Sequence, residues 1–530
     1  MEERPIRPTN PSTMQTIEIT LTPEQYNDGE LLKQAVSRQS GIAESDIGHV
    51  EVVRRSLDSR RGIHYHVTVQ YYLTDETYEA PDYSSPFRDC SHGRPVVIVG
   101  AGPAGLFAAL RALELGLRPI IVERGQPVDR RKRDITQMVR SGIVPADSNW
   151  CYGEGGAGTY SDGKLYTRSN KRGNVAGILK RFVAHGADPK IMIDAHAHIG
   201  TDRLSGIIAN IRSTIEGHGG TYHFNQRVSD LLIQDGSVKG VRCQNGETIE
   251  GDAVILATGH SARDIYELFD RRGWQLESKP FAMGVRVEHP QELINQIQYH
   301  SAHYSPLLPP AAYSLTTQTE GHGVFSFCMC PGGVIVPAAT GDGEQVVNGM
   351  SNASRSSAFA NSGIAVTVSA ADAKAYGEDP LALLRFQQAV ERRMYEAGGG
   401  HLNAPSQRLT DFCERRTTGQ LNRSNYMGQC VAANLHEQLP PFIVKSLQQA
   451  FKDFNRKMRG FYTSEATLLA VESRTSSPIR IPRGQDGQHP QLKGLYPCGE
   501  GAGYAGGIVS SAMDGERAIE NVFQNLETDQ

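Results

Sequence analysis

The stretch Pro95–Glu123 constrains this chain more than any other. Pro95–Val99 is an unbroken apolar run, as expected for a strand buried on both faces. Gly100, Gly102 and Gly105 follow at once, in the spacing G-x-G-x-x-G. Ala104–Leu117 then reads as a helix and Arg118–Glu123 as a second strand. Such a strand–turn–helix–strand unit is the opening of a doubly wound α/β sheet. Gly100 permits the sharp turn, Gly102 lets backbone approach a pyrophosphate, and Gly105 lets helix and strand pack closely. The helix start, with Pro103 and Ala104, presents free N–H groups and the positive end of its dipole to phosphate. Glu123 is placed to accept hydrogen bonds from an adenosine ribose.

The bare spacing is a weak signal, because it recurs at Gly153/Gly155/Gly158 and at Gly501/Gly503/Gly506. The second run has no strand before it and reads as a loop lying near the cofactor. The third follows a strand, Gly494–Cys498, and opens a helix, Ser510–Leu526, but no further strand comes after it. It is expected to be another turn against the same ligand. One dinucleotide then explains all three runs.

The order of segments points to FAD. A nicotinamide-only domain would continue directly through more strands. Here Arg124, Arg130 and Arg131 and a long Gly-rich loop come first. The chain later returns through an apolar strand, Ala253–Thr258, that ends in Gly259.

Four longer motifs carry a family resemblance: V-G-A-G-P-A-G at 99–105, G-E-G-G-A-G-T-Y-S-D-G-K-L at 153–165, A-T-G-H-S-A-R-D at 257–264 and C-G-E-G-A-G-Y-A-G-G-I at 498–508. With F-C-M-C-P-G-G at 327–333, the chain resembles bacterial FAD-dependent dehydrogenases (NAD(P)/FAD-dependent oxidoreductases) over roughly 15–525. These are placed in the glutathione-reductase-like flavoprotein superfamily. The resemblance implies noncovalent FAD. Cofactor contacts are expected from Arg124, Arg131, Gly156, Val228, Thr258 and Gly259, and Ser161, Asp162 and Lys164, in the Gly-rich loop, are placed to contact flavin or substrate. The resemblance also implies that Gly499 and Glu500 lie in a C-terminal flavin motif, with Glu500 at the ribityl–phosphate region. Gly506, Gly507 and Ile508 would then lie against the isoalloxazine ring, and the helix near Val509 would point its N-terminus at the ring.

The expected fold is α/β with α+β. Residues 15–80 form a small ferredoxin-like module, β-α-β-β, whose last strand alternates cleanly through Tyr65, Val67, Val69 and Tyr71. Residues 94–279 and 486–530 form a Rossmann-like FAD domain, and 280–485 a mixed substrate domain. No second strand–glycine–helix–acid unit is visible at 280–481, so NAD(P)H, if used, visits the flavin as a transient electron donor.

Other candidates follow from residue chemistry. Cys328 and Cys330 are candidate active-site thiols, although no basic residue lies near them in sequence to lower a thiol pKa. His260, directly after the A-T-G turn, is a candidate proton donor. Arg286, His289 and Arg355 are candidates for an anionic substrate. Asp194-Ala195-His196-Ala197-His198 has the look of a metal-binding strand end, but the β/α barrel that such sites need is absent, and no metal is expected.

Net charge is −4, with 54 basic and 58 acidic residues, so no bulk field attracts nucleic acid or membrane. No run approaches the roughly 18 apolar residues of a membrane span. Met1–Thr13 is polar and Pro-rich, unlike a secretory signal. Eight scattered Cys fit reduced thiols and a cytoplasmic location. The expected activity is hydride transfer between FAD and a small organic substrate. The alternative is an RNA-modifying flavoprotein that binds RNA through its N-terminal module, using Arg54, Arg55, Arg60 and Arg61.

Overall fold

In the computed structural model, which describes residues 15–167 and 173–528, Pro95–Val99 is the central strand of a five-stranded sheet. Met1–Thr13 lies outside the described residues. The strand order is Leu495–Pro497, Ala253–Leu256, Pro95–Val99, Arg118–Val122 and Thr221–His223, all parallel. All five therefore release the chain at one edge, where ligands of such sheets sit.

The central strand is apolar throughout because both faces are covered. Val96 and Ile98 pack under the helices Pro103–Leu115, Thr201–Gly217 and Ile508–Thr528. Val97 and Val99 face a small antiparallel sheet of Val228–Gln234, Ser237–Cys243 and Thr248–Glu250. The last helix lies very close to the first. A Cβ on Gly515 would stand 2.0 Å from the Ala104 carbonyl oxygen.

The N-terminal module has three antiparallel strands with His64–Leu73 between Gln15–Leu21 and Ile47–Asp58, and the helix Gly29–Ser40 packed on them. Tyr65, Val67, Val69 and Tyr71 are all buried, as their alternation requires. The module docks through Arg55. Its backbone pairs with Ile193 and Ala195, and its side chain pairs with Asp194 and reaches the Tyr26 hydroxyl. Arg60 is paired with Asp58 at 2.6 Å, while Arg54 and Arg61 are exposed.

The region after residue 280 is built on a seven-stranded sheet. Its order is Thr316–Thr319, His322–Cys330, Phe359–Val368, Phe281–Pro290, Thr467–Glu472, Ala404–Arg408 and Cys430–Ala432. The helices Ala382–Ala397 and Pro441–Lys457 pack on it with a separate apolar core. Glu277–Ser278 pairs with Ile479–Arg480, so the chain enters and leaves this region side by side. Among the described residues, no helix is long and apolar enough to cross a membrane.

Candidate functional site

The three glycine runs meet. A cavity of about 360 Å³ lies at the open edge of the parallel sheet, lined by Gly100 and Gly102, by Gly153, Gly156 and Gly158, and by Gly506 and Gly507. The Gly155 N–H donates to the Ala101 carbonyl at 2.7 Å, joining the first two runs. A Cβ on Gly501 would stand 2.5 Å from the Gly259 carbonyl oxygen, so the third run lies against the A-T-G turn.

The first glycines differ in what they do. Gly100 has φ 107°, and a Cβ there would stand 2.4 Å from the Ala257 carbonyl oxygen. At Gly105 it would stand 1.9 Å from the Gly100 carbonyl oxygen. Gly102 is in extended backbone, and its Cβ would meet only the Gly156 Cα, at 3.9 Å. Gly102 thus faces open cavity, and it caps the helix without a side chain, leaving the first N–H groups uncapped.

Pro103, Ala104, Glu123, Arg124, Ser161, Asp162, Lys164, Val228, Thr258, Gly259, Glu500 and Ile508 also line the cavity. Gly105, Arg131, Gly499 and Cys330 do not. Arg131 is corrected on geometry: its guanidinium is fully buried beneath the second run. It donates to the carbonyls of Asn149, Trp150, Gly153, Glu154 and Gly156, and so holds the Gly-rich loop in shape. Glu123 also does more than expected. Its carboxylate accepts the N–H groups of Ala101 and Gly125 at 2.9 Å and of Gly153 at 3.0 Å. A carboxylate has about four acceptor positions, so one remains for a ligand. Arg124 lies over the Tyr152 ring at 4.0 Å and pairs with Asp147 and Asp264.

The far wall comes from the region after residue 280: Phe327 and Cys328 on the seven-stranded sheet, Asn348 on the strand Val347–Met350 of a separate two-stranded sheet, and Arg474 just after Thr467–Glu472. Arg474 carried no signal in the sequence. It donates to Glu344 at 2.7 Å and Glu391 at 3.1 Å, and Arg263 reaches the same Glu391 oxygen at 2.7 Å. His260 lines the cavity and bonds the Arg474 carbonyl through Nε2 at 3.1 Å. A carbonyl only accepts, so Nε2 carries the proton and Nδ1 is bare. Burial, then the Arg474 charge, hold the His260 pKa down to about 4, and the ring is neutral at pH 7. Its Nδ1 is 3.9 Å from Glu500, whose carboxyl is pushed up to about 7 by burial.

Arg286, His289 and Arg355 do not line the cavity. Arg286 is fully buried and pairs with Glu472 at 2.7 Å. His289 bonds the Phe461 carbonyl, and Arg355 holds Asp162 at 2.6 Å. In the H-x-H segment, Asp194 is taken by Arg55 and His198 bonds the Ala353 carbonyl at 3.2 Å. No group of three or more metal-binding side chains occurs among the described residues.

Comparison with known proteins accounts for most of the chain. Residues 280–475 match the model "FAD-dependent protein, C-terminal domain-like", and 94–272 match "Pyridine nucleotide-disulphide oxidoreductase". Residues 13–72 match a domain of unknown function. An uncharacterized protein of Clostridium beijerinckii is 37% identical over 522 residues, covering 94% of this chain and 97% of that one. The chain belongs to this family of FAD-dependent oxidoreductases. A digeranylgeranylglycerophospholipid reductase of Methanothrix thermoacetophila is 34% identical over 175 residues, 31% of this chain and 39% of its own. Among solved structures, a geranylgeranyl bacteriochlorophyll reductase-like protein of Thermoplasma acidophilum is 13% identical with TM-score 0.34, covering 82% of this chain and 79% of that one.

FAD fits what lines the cavity of this FAD-dependent oxidoreductase. Cβ atoms on Gly259, Gly506 and Gly507 would meet nothing within 4 Å, so their backbones, like that of Gly102, are bare on their Cβ side. The uncapped helix start beside them offers N–H groups to an anion.

Proposed function

We propose that the protein transfers a hydride between noncovalently held FAD and an organic substrate lying between the flavin and the wall formed by Phe327, Cys328, Asn348 and Arg474. The observation that carries this reading is the meeting of three glycine runs on a single cavity whose far wall comes from the region after residue 280. When bound, FAD supplies the two-electron chemistry.

The residues have separate tasks in this reading. Gly100, Gly102, Pro103 and Ala104, over the helix start, hold the pyrophosphate. Glu123, Arg124 and Val228 surround the adenosine, with Glu123 offering its remaining acceptor position to the ribose. Thr258, Gly259 and Glu500 lie along the ribityl chain. Gly156, Ser161, Asp162, Lys164, Gly506, Gly507 and Ile508 frame the flavin ring. With FAD bound, the N-terminus of Ile508–Thr528 would offer the positive end of its dipole to negative charge on the ring. Neutral His260 and the half-ionised Glu500 form a route for a proton near the ring.

The test begins with the purified protein, which should be yellow with the two visible bands of flavin. Anaerobic photoreduction, followed by mixing with candidate acceptors, should find an organic compound that reoxidises the flavin. NADPH and NADH are to be tried as donors in the opposite direction. Flavin that no organic acceptor ever reoxidises would sink the hydride-transfer reading and leave a flavin-holding protein.

A further inference from the structure

We propose that Cys328 is a catalytic residue of this cavity, a thiolate that takes a proton from a substrate carbon and is held charged by Lys164 and Arg286. The proposal rests on the reading that the cavity holds FAD.

The placement begins with strand register. In the pairing of His322–Cys330 with Phe359–Val368, Phe327 faces Gly363 and Cys330 faces Asn361, so Cys328 and Met329 together stand opposite Ser362 alone. The extra residue makes a bulge, and Cys328 takes φ 44°. That conformation is disfavoured for a non-glycine residue. The bulge puts Cys328 in the cavity lining and leaves Cys330 fully buried.

Cations from two distant segments bracket the bulge. Lys164, at the end of the second glycine run, donates to the Met329 carbonyl. Arg286, from the neighbouring region of the sheet, reaches the Cys328 carbonyl at 3.3 Å. The Cys330 sulfur lies 3.3 Å from the Cys328 carbonyl oxygen, beside the Cys328 thiol. The other charges acting here are Asp162, held by Arg355, together with Glu472, held by Arg286, and Glu500. Even with Asp162 and Glu472 both ionised, they face Lys164, Arg286 and Arg355, which leaves one excess positive charge. Glu500 is half neutral and does not cancel it. A thiolate at Cys328 does.

The groups around Cys328 act in the same direction. A hydrogen bond with Cys330, then the Lys164 and Arg286 charges, push the Cys328 thiol down, and the Cys330 thiol is pushed up. Burial works against the Lys164 charge, but Cys328 and Asp162 outweigh it and raise the Lys164 pKa.

A thiolate of lowered pKa is a weak base and removes only an activated proton. The substrate class is therefore a carbon acid, with the C–H bond beside a carbonyl. The Cys328 sulfur takes that proton and becomes a thiol. The electron pair of the broken bond forms a carbon–carbon double bond as the adjacent carbon gives hydride to oxidised FAD. The substrate loses two hydrogens and two electrons, and FAD gains the two electrons. In the reducing direction the thiol returns the proton.

Iodoacetamide alkylation of the holoprotein, read at Cys328 by peptide mass spectrometry across a pH series, tests this without turnover. The Cys328 rate should level off well below the ordinary thiol pKa of about 8.5. Lys164→Met should move the midpoint up by about one pH unit or more. Cys328→Ser should remove one thiolate from the ultraviolet thiolate absorbance at pH 7, a readout that does not depend on the Lys164 variant folding. An ordinary alkylation profile in the native protein, or an unchanged thiolate absorbance in Cys328→Ser, would overturn the proposal. The same samples report flavin colour. Yellow protein with an ordinary Cys328 profile defeats this proposal alone, while protein that takes up no FAD defeats both readings.

Discussion

The Gly155 N–H donates to the Ala101 carbonyl at 2.7 Å, so two loops far apart in the chain form one wall. Gly102 sits in that wall with its Cα turned to open space. Gly102→Val should therefore fold and fail to hold cofactor. FAD affinity should fall at least about tenfold, or 1.4 kcal/mol, with little change in the melting temperature of the apoprotein. Flavin retention through gel filtration, with a thermal melt of the apoprotein alongside, checks both halves.

Gly105→Ala should do the opposite. Its Cβ would stand 1.9 Å from the Gly100 carbonyl oxygen, so the strand and helix must separate. Overpacking of this kind costs about 1–3 kcal/mol. Urea unfolding of the apoprotein should show a lower midpoint. An unchanged midpoint would mean that the turn relaxes more easily than its geometry says.

Arg131→Met removes the donor from five loop carbonyls in a fully buried site. We expect a loss of about 3 kcal/mol or more in urea unfolding, because the carbonyls are left without partners. Flavin loss should follow from the disordered loop. Full stability combined with lost FAD would instead return Arg131 to the cofactor.

Glu391 sets an acid limit. Burial alone would raise its pKa, but Arg263 and Arg474 hold it down to about 2. A carboxylate depressed in the folded state stabilises the protein above its unfolded pKa, and that stability is lost as pH falls through the folded one. Its contribution should fade between about pH 4.5 and pH 2. Glu391→Gln should be less stable at pH 7 and show a flatter dependence of stability on pH in that window, by chemical denaturation.

Arg55→Ala should loosen the N-terminal module. It removes the Asp194 pair, the Tyr26 hydrogen bond and the cover over the Tyr26 and Tyr65 rings, while leaving the module's apolar side chains in place. Limited proteolysis should cut the Pro-rich linker at 79–94 faster, with flavin retained. Unchanged cleavage would mean that the backbone pairing with Ile193 and Ala195 is enough to dock the module.

Much of this was legible in the sequence because it is local. The apolar run at Pro95–Val99 signals a strand covered on both sides, since periodicity reports which faces are buried. The alternation from Tyr65 to Tyr71 signals one covered face by the same physics. The three glycine runs could be recognised as parts of one site because backbone that must turn sharply or approach a ligand tolerates no Cβ.

Tertiary structure alone decided the rest. Arg131 reads in sequence as a cofactor residue because a basic side chain after the second strand looks the same whether it faces phosphate or carbonyls. Cys328 lacked basic neighbours in sequence, and Lys164 and Arg286 reach it only through folding and strand pairing. Its bulge follows from the register against Phe359–Val368, and register is a property of two strands together. Strand–glycine–helix chemistry is written in consecutive residues. The charge around a thiol depends on distances that consecutive residues do not set.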